Sequence, residues 1–238
     1  MTQPFVYGGS ELEGLARARN YYRWLVGLFA PHLGERVLEI GAGTGTFASA
    51  ILAARPAISL TLVEPASNNL PILERRFAGD ARVKVVPGFF AGLGQDDAPM
   101  DSVVLVNVLE HVEDAHALLR SAREALRPGG RMILLVPVGG TMLYGTMDEA
   151  FGHHRRFTAE AVRTLLEECH CRVSYQRYLN SVGVVPWFLL GRVLRRRSLS
   201  SVAIRIYDFL AIPMLRRLEN SWTPRFGQSL FVVAEAVR

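Results

Sequence analysis

Val37-Leu38-Glu39-Ile40-Gly41-Ala42-Gly43-Thr44-Gly45 runs from an apolar stretch into three glycines at alternate positions. The first four residues have the composition of a buried strand, and helix-forming sequence begins at Thr44. Glycine lets the backbone turn sharply and approach a ligand with no side chain in the way. The helix that follows points unpaired N–H groups at whatever anion sits beside the turn. A dinucleotide fingerprint requires Gly-x-Gly-x-x-Gly. Here position 46 is Thr and the third glycine comes one residue early, which argues against a nicotinamide or flavin cofactor.

Strand and helix signals alternate on either side of that turn. Strands are predicted at 36–40, 59–63, 82–86, 101–107, 132–136, 173–178 and 229–237. Helices are predicted at 11–30, 44–54, 68–78, 113–126 and from a Thr158 cap to about 168. Pro31 stops the first helix, and Arg127-Pro-Gly-Gly130 reads as a strong break. Such alternation gives a doubly wound, Rossmann-like α/β sheet with helices on both faces. Ligands in these sheets bind beyond the carboxyl ends of the strands. Gly41–Gly45, Glu64, Gly88 and Asn107 each follow a predicted strand, so they converge on one rim.

The chain has 238 residues, 50% of them hydrophobic, enough for one sizeable core with an insertion. No apolar stretch reaches the roughly 18–20 residues of a membrane span. Met1–Tyr7 lacks the charged start and apolar run of a secretory signal, so a cytoplasmic enzyme is expected. Cys169 and Cys171 flank His170; they are too close for an easy disulfide and too few for a zinc site. The net charge of +5 is concentrated late, because residues 177–225 hold nine arginines against Asp208 and Glu219, a net +7. The 50 residues between predicted strands six and seven are too many for a simple connection. They carry apolar Val182–Leu194, then Arg195-Arg196-Arg197, then apolar residues at helical spacing over 202–218. The chain thus divides into a main domain, 1–178 and 224–238, and a basic helical insertion, 179–223. That insertion can serve as a lid, as a peripheral contact with the inner face of a membrane through 182–218, or as a homodimer interface. Nucleic acid is not expected, since lysine is absent there and no RNA-binding motif is present.

With these pieces in place, the chain resembles the class I S-adenosylmethionine (SAM)-dependent methyltransferases, nearest to the bacterial branch related to quinone-biosynthesis methyltransferases. The resemblance is carried by Val37–Gly45, Glu64, Asn107-Val-Leu-Glu-His-Val112 and Leu126-Arg-Pro-Gly-Gly-Arg-Met-Ile-Leu-Leu-Val-Pro137. The early third glycine tilts the same way. A looser likeness, through Gly152-His-His-Arg-Arg-Phe157 and Phe226-Gly-Gln-Ser229, is to methyltransferases of bacterial glycan or lipid pathways. The resemblance implies a seven-stranded sheet whose last strand is antiparallel, with SAM as cofactor and S-adenosylhomocysteine as product. It implies that Glu64, beside Pro65, accepts the ribose hydroxyls, and that Glu39 helps hold the methionine ammonium above Gly41, Ala42, Gly43 and Gly45. Asn107 and Leu109 would lie along the methionine side. Where the family usually has an adenine-binding acid, this chain has Gly88-Phe89-Phe90, so stacking and backbone groups are expected instead, with core packing as the alternative. Tyr22, Arg23 and Trp24 could close the site, with Arg23 reaching the methionine carboxylate, but packing of this helix with a solvated Arg23 is the preferred reading.

Methyl transfer to a hydroxyl needs alignment and removal of a proton, a task suited to histidine. His111, after strand four, and His153 and His154, after strand five, are the candidates. Arg155 and Arg156 are candidates for binding a phosphate or carboxylate on the acceptor, with plain surface arginines as the alternative. A metal site from Asp148, Glu149 and the histidines fits no established spacing, and no metal is assigned. The expected activity is O-methylation of a small-molecule, glycan or lipid-linked acceptor. A catalytically inactive SAM-binding protein docked on a membrane or partner is the competing class, and a nucleotide-cofactor dehydrogenase is a third.

Overall fold

β1 (Arg36–Ile40), β2 (Ser59–Glu64) and β4 (Met100–Val106) are mostly buried, as strands are when helices cover them on both sides. The computed structural model describes residues 5–8, 17–92 and 98–237. β3 (Val83–Pro87), β5 (Leu126–Pro137), β6 (Cys171–Leu179) and β7 (Ser229–Ala236) complete a seven-stranded sheet in the order β3-β2-β1-β4-β5-β7-β6. β1 to β5 pair in parallel, and β7 lies antiparallel between β5 and β6. The strand order reverses between β1 and β4, so a crevice opens above their carboxyl ends.

Helices Thr46–Ala54, Leu70–Arg76, Ala115–Glu124 and Ala159–Glu168 follow the strands as the sequence predicts. Two of them start on side-chain caps: Asp114 accepts from Ala117 N at 2.8 Å and Thr158 from Ala161 N at 3.1 Å. The first described helix is Arg19–Phe29; the part of the predicted 11–30 helix at 11–16 lies outside the described residues. Trp24, Leu25 and Phe29 pack from it onto Phe47, Ile51 and Phe231. Cys169 and Cys171 are free and buried.

Strand five differs from expectation. β5 starts at Leu126, not Met132, and passes through the predicted break. Leu126 pairs with Met100 and Arg131 with Ser102, so Arg127-Pro-Gly-Gly130 is extra length bulging from one continuous strand. The glycines do turn the backbone, with Gly129 at φ 73°, yet the chain rejoins the same ladder.

Between β6 and β7 lie helical segments Val184–Phe188, Leu189–Val193, Ser201–Ile206, Tyr207–Ala211 and Ile212–Ser221. Their two acids fasten them, Asp208 to the first described helix and Glu219 to the residues just after β6. Asp208 accepts from Asn20 N at 3.1 Å and Tyr21 N at 2.8 Å. Glu219 accepts from Asn180 N at 3.1 Å and from Ser181 N and Oγ at 2.8 Å each.

Candidate active site

The turn after β1 is built so that only glycine fits at its ends. Gly41 has φ 75°, and a Cβ there would stand 2.6 Å from Val108 Cγ2. Gly45 has φ 74°, and a Cβ there would stand 2.6 Å from Phe77 Cε2 and 2.7 Å from Leu73 Cδ1. The loop between them is tied to the end of β2. Gly41 N and Ala42 N donate to Val63 O at 2.8 and 3.1 Å, and Gly43 N donates to Glu64 Oε2 at 2.7 Å. The other Glu64 oxygen, Oε1, accepts from Ala66 N at 2.9 Å and Asn69 Nδ2 at 3.2 Å. A carboxylate has about four acceptor positions, so Glu64 keeps about one for a ligand hydroxyl rather than two.

One cavity of about 990 Å³ opens over this rim. Of the residues expected to hold the cofactor, Glu39, Gly41, Ala42, Gly43, Glu64, Pro65, Phe89 and Asn107 line it. Gly45, Gly88 and Leu109 do not. Gly45 serves the packing of the following helix against Phe77 and Leu73, Gly88 N is spent on Glu64 O at 2.9 Å, and Leu109 is fully buried in the core. Phe89 is 73% exposed, with its ring 5.5 Å from that of Phe5. The packing alternative holds for Phe90, which lies against the core. Tyr22 lines the cavity, whereas Arg23 turns aside to Asn20 Oδ1 at 3.4 Å and Trp24 is a core residue.

Glu39 is buried against the cavity, and burial, reinforced by Glu64, raises its pKa from 4.5 to about 8. A folded-state pKa above the unfolded one means that the folded state holds the proton more tightly. Stability of the ligand-free protein therefore falls as pH climbs from 4.5 towards 8, because the unfolded chain gives up this proton first. Glu39→Gln is expected to melt at a higher temperature than the native chain near pH 8, with the gap closing at the acid end. Thermal melts across that range check this, and a gap independent of pH would refute it.

A polar cluster closes the far end of the cavity. His153 Nδ1 lies 2.8 Å from Asp148 Oδ1, and Arg156 Nε donates to the same oxygen at 2.8 Å. Gly145 N donates to Asp148 Oδ2 at 3.0 Å. Burial alone would raise the pKa of Asp148, but the His153 hydrogen bond and the Arg156 charge hold it below the usual carboxylate range. His111 stands edge-on to His153, ring centroids 4.8 Å apart, with Nδ1 3.3 Å from Gly152 O. Burial and the neighbouring His153 push His111 down to about 4. His154 lines the cavity, and its backbone N donates to Glu110 O at 2.7 Å.

Of the two arginines expected to face the acceptor, Arg156 lines the cavity and Arg155 does not. Arg156 is spent on Asp148 and Val138 O and stacks 4.5 Å from the centroid of Trp187. Arg155 donates to Val112 O at 3.2 Å and Glu113 O at 2.8 Å. Sequence pattern alone does not mark Glu110 as a site residue. It is fully buried, lines the cavity, and neither carboxyl oxygen has a hydrogen-bond partner among the described residues. Burial raises it to about 8, against the pull of Arg156. Its place between Leu109 and His111 in the motif was the available signal. Glu110, His111 and His153 each offer a ligand atom within 4.8 Å of the others, a spacing that could admit a cation. The cation set weighed from the sequence, with Asp148 in it, is not formed, because Asp148 is committed to Arg156 and His153.

Sheet order, antiparallel seventh strand and glycine turn at the switch point define a class I SAM-dependent methyltransferase fold. The family model for methyltransferase domains matches residues 15–175, and the chain belongs to that family. A demethylmenaquinone methyltransferase of Clavibacter sepedonicus is 37% identical over 105 residues, covering 44% of this chain and 42% of that one. The chain therefore matches less than half the length of that curated relative. An O-methyltransferase from neocarzinostatin biosynthesis, solved with S-adenosyl-L-homocysteine and 1,4-dihydroxy-2-naphthoic acid, is 26% identical, with TM-score 0.51, over 60% of this chain and 45% of that one. The cyclase SpnF is 18% identical with TM-score 0.61 over 90% and 81%, so the fold alone does not fix the reaction. Among the described residues, no helix is long and apolar enough to cross a membrane.

Proposed function

We propose that this chain is a SAM-dependent methyltransferase that places a methyl group on a hydroxyl oxygen of a largely apolar acceptor. The observation that carries this is one cavity reaching from the glycine turn and Glu64 to the His153–Asp148 pair. Membership of the methyltransferase-domain family and the 26% identity to an O-methyltransferase support it.

Bound SAM would supply a methyl group already activated on a sulfonium. The residues present fit it: Glu64 keeps an acceptor position for a ribose hydroxyl, Gly41–Gly43 let the ligand approach backbone, and Glu39 can answer the ammonium. Phe89 offers an exposed face for the adenine. The chain then has to align the acceptor, exclude water and remove one proton. Trp187, Leu190, Leu199 and Ile204 give the acceptor end an apolar wall. His153 donates its Nδ1 proton to Asp148, which leaves Nε2 as the atom that takes the acceptor's hydroxyl proton. Asp148 would then stabilise the imidazolium, as a carboxylate does in a hydrolase triad. Glu110, kept neutral by burial, can donate a hydrogen bond to the acceptor.

Calorimetric titration with SAM, S-adenosylhomocysteine and NAD(H), followed by a mass-spectrometric search for singly methylated products among hydroxylated amphiphiles, tests this. Binding of the first two with transfer to oxygen is expected. Binding without transfer would favour the catalytically inactive alternative, and no binding of either would remove the proposal.

A further inference from the structure

The helical run from Ser201 to Ser221 has two apolar faces. Ile204, Tyr207, Asp208 and Ile212 line the cavity, and Asp208 is tied to Asn20 and Tyr21. On the opposite side Val202, Ile206, Phe209, Leu210, Met214 and Leu218 recur about once per helical turn, and each is more than half exposed. Val185, Leu189, Val193 and Leu194 extend the exposed apolar surface on the preceding segments. So many large apolar side chains in water on one element mark a docking surface.

Charge says what docks. Between 179 and 223 the only acids are Asp208 and Glu219, and both are buried, Asp208 in hydrogen bonds to Asn20 and Tyr21 and Glu219 in hydrogen bonds to Asn180 and Ser181. Arg192, Arg195, Arg196, Arg197, Arg205 and Arg217 are all exposed. The outer surface is apolar and carries only positive charge. A second copy of the chain would set these arginines against one another. A nucleic acid would neutralise them but leave the aliphatic row without a partner. An anionic bilayer satisfies both features, since apolar side chains enter the acyl boundary while guanidinium groups meet head-group phosphates.

We propose that the outer face of residues 182–218 docks on an anionic lipid bilayer, and that the cavity behind it takes an amphiphilic acceptor from that surface. The second half rests on the methyltransferase proposal, whereas the docking does not. The same helical run walls the cavity and meets the lipid, so a lipid-linked acceptor need not leave the bilayer to reach His153.

The test is co-sedimentation of the full chain with vesicles of phosphatidylcholine alone and of phosphatidylcholine with phosphatidylglycerol. Binding to the anionic vesicles is expected, weakening with salt. Arg196→Gln and Arg197→Gln should each lower the partition about fivefold. A Phe209→Ser, Leu210→Ser double variant should abolish it while melting and binding SAM as the native chain does. No preference for anionic vesicles, or unchanged binding by the double variant, would overturn the proposal. So would a native dimer that the double variant splits into monomers, or retention by RNA in place of vesicles. SAM binding without vesicle binding removes only the docking, and vesicle binding without SAM binding removes only the methyltransferase reading.

Discussion

His153→Ala is expected to lower kcat by about 10²–10⁴-fold, the range for loss of a positioned general base, with SAM affinity nearly unchanged. Three features set His153 apart from the other candidates. Its Nδ1 is fixed on Asp148 at 2.8 Å, Asp148 is itself held by Arg156 and Gly145 N, and its ring lines the cavity. His111, pushed down to about 4, is a weak base, so His111→Ala should cost much less in kcat. Asp148→Asn is the poorer probe. It would leave Arg156, whose side chain is 1% exposed, without its charge partner, and breaking a buried pair destabilises by about 3–5 kcal/mol. Single-turnover rates with and without a chelator decide the matter. If His153→Ala turns over within a few-fold of the native rate, the base assignment is wrong. If a chelator alone abolishes turnover, His153 belongs to a cation site with Glu110 and His111.

Much of the frame was legible because its signals are local. Each central strand is a short apolar run ending in turn residues, and six of the seven strand positions agree with the structure to within about two residues. The failures arise where a local signal meets a long-range constraint. Arg127-Pro-Gly-Gly130 does turn the chain, but the ladder to β4 resumes at Arg131 and β5 remains one strand. Gly45 looked like a cofactor residue, whereas the side chains that demand a glycine there come from Leu73 and Phe77, far along the sequence. Arg156 does reach the cavity, but nothing in its sequence neighbourhood reveals Asp148, eight residues back across a turn, as its charge partner. The direction of the Ser201–Ser221 run was illegible for a different reason. It carries apolar residues on both faces, so periodicity alone cannot say which one packs and which one meets solvent.

Glu64→Ala is expected to weaken SAM binding by at least about tenfold, the equivalent of one lost charge-assisted hydrogen bond, and to destabilise the fold at the same time. Two effects have a single cause. Glu64 is the acceptor that joins the glycine turn to the start of the next segment, taking Gly43 N on one oxygen and Ala66 N with Asn69 Nδ2 on the other. Alanine would leave three donors without a partner, at about 1–3 kcal/mol each where water cannot replace it. Glu64→Gln separates the contributions. Its remaining carbonyl can keep Ala66 N and Asn69, but its NH2 group would then point a donor at the Gly43 N–H. The glutamine variant should therefore recover stability more than affinity, giving the order native, Gln, Ala in melting temperature with both variants weak for SAM. Calorimetry well below the lower melting temperature keeps unfolding out of the binding measurement. A Glu64→Ala chain that binds SAM as tightly as the native one would show that the ligand takes nothing from this carboxylate, and the rim above β2 would lose its role in the site.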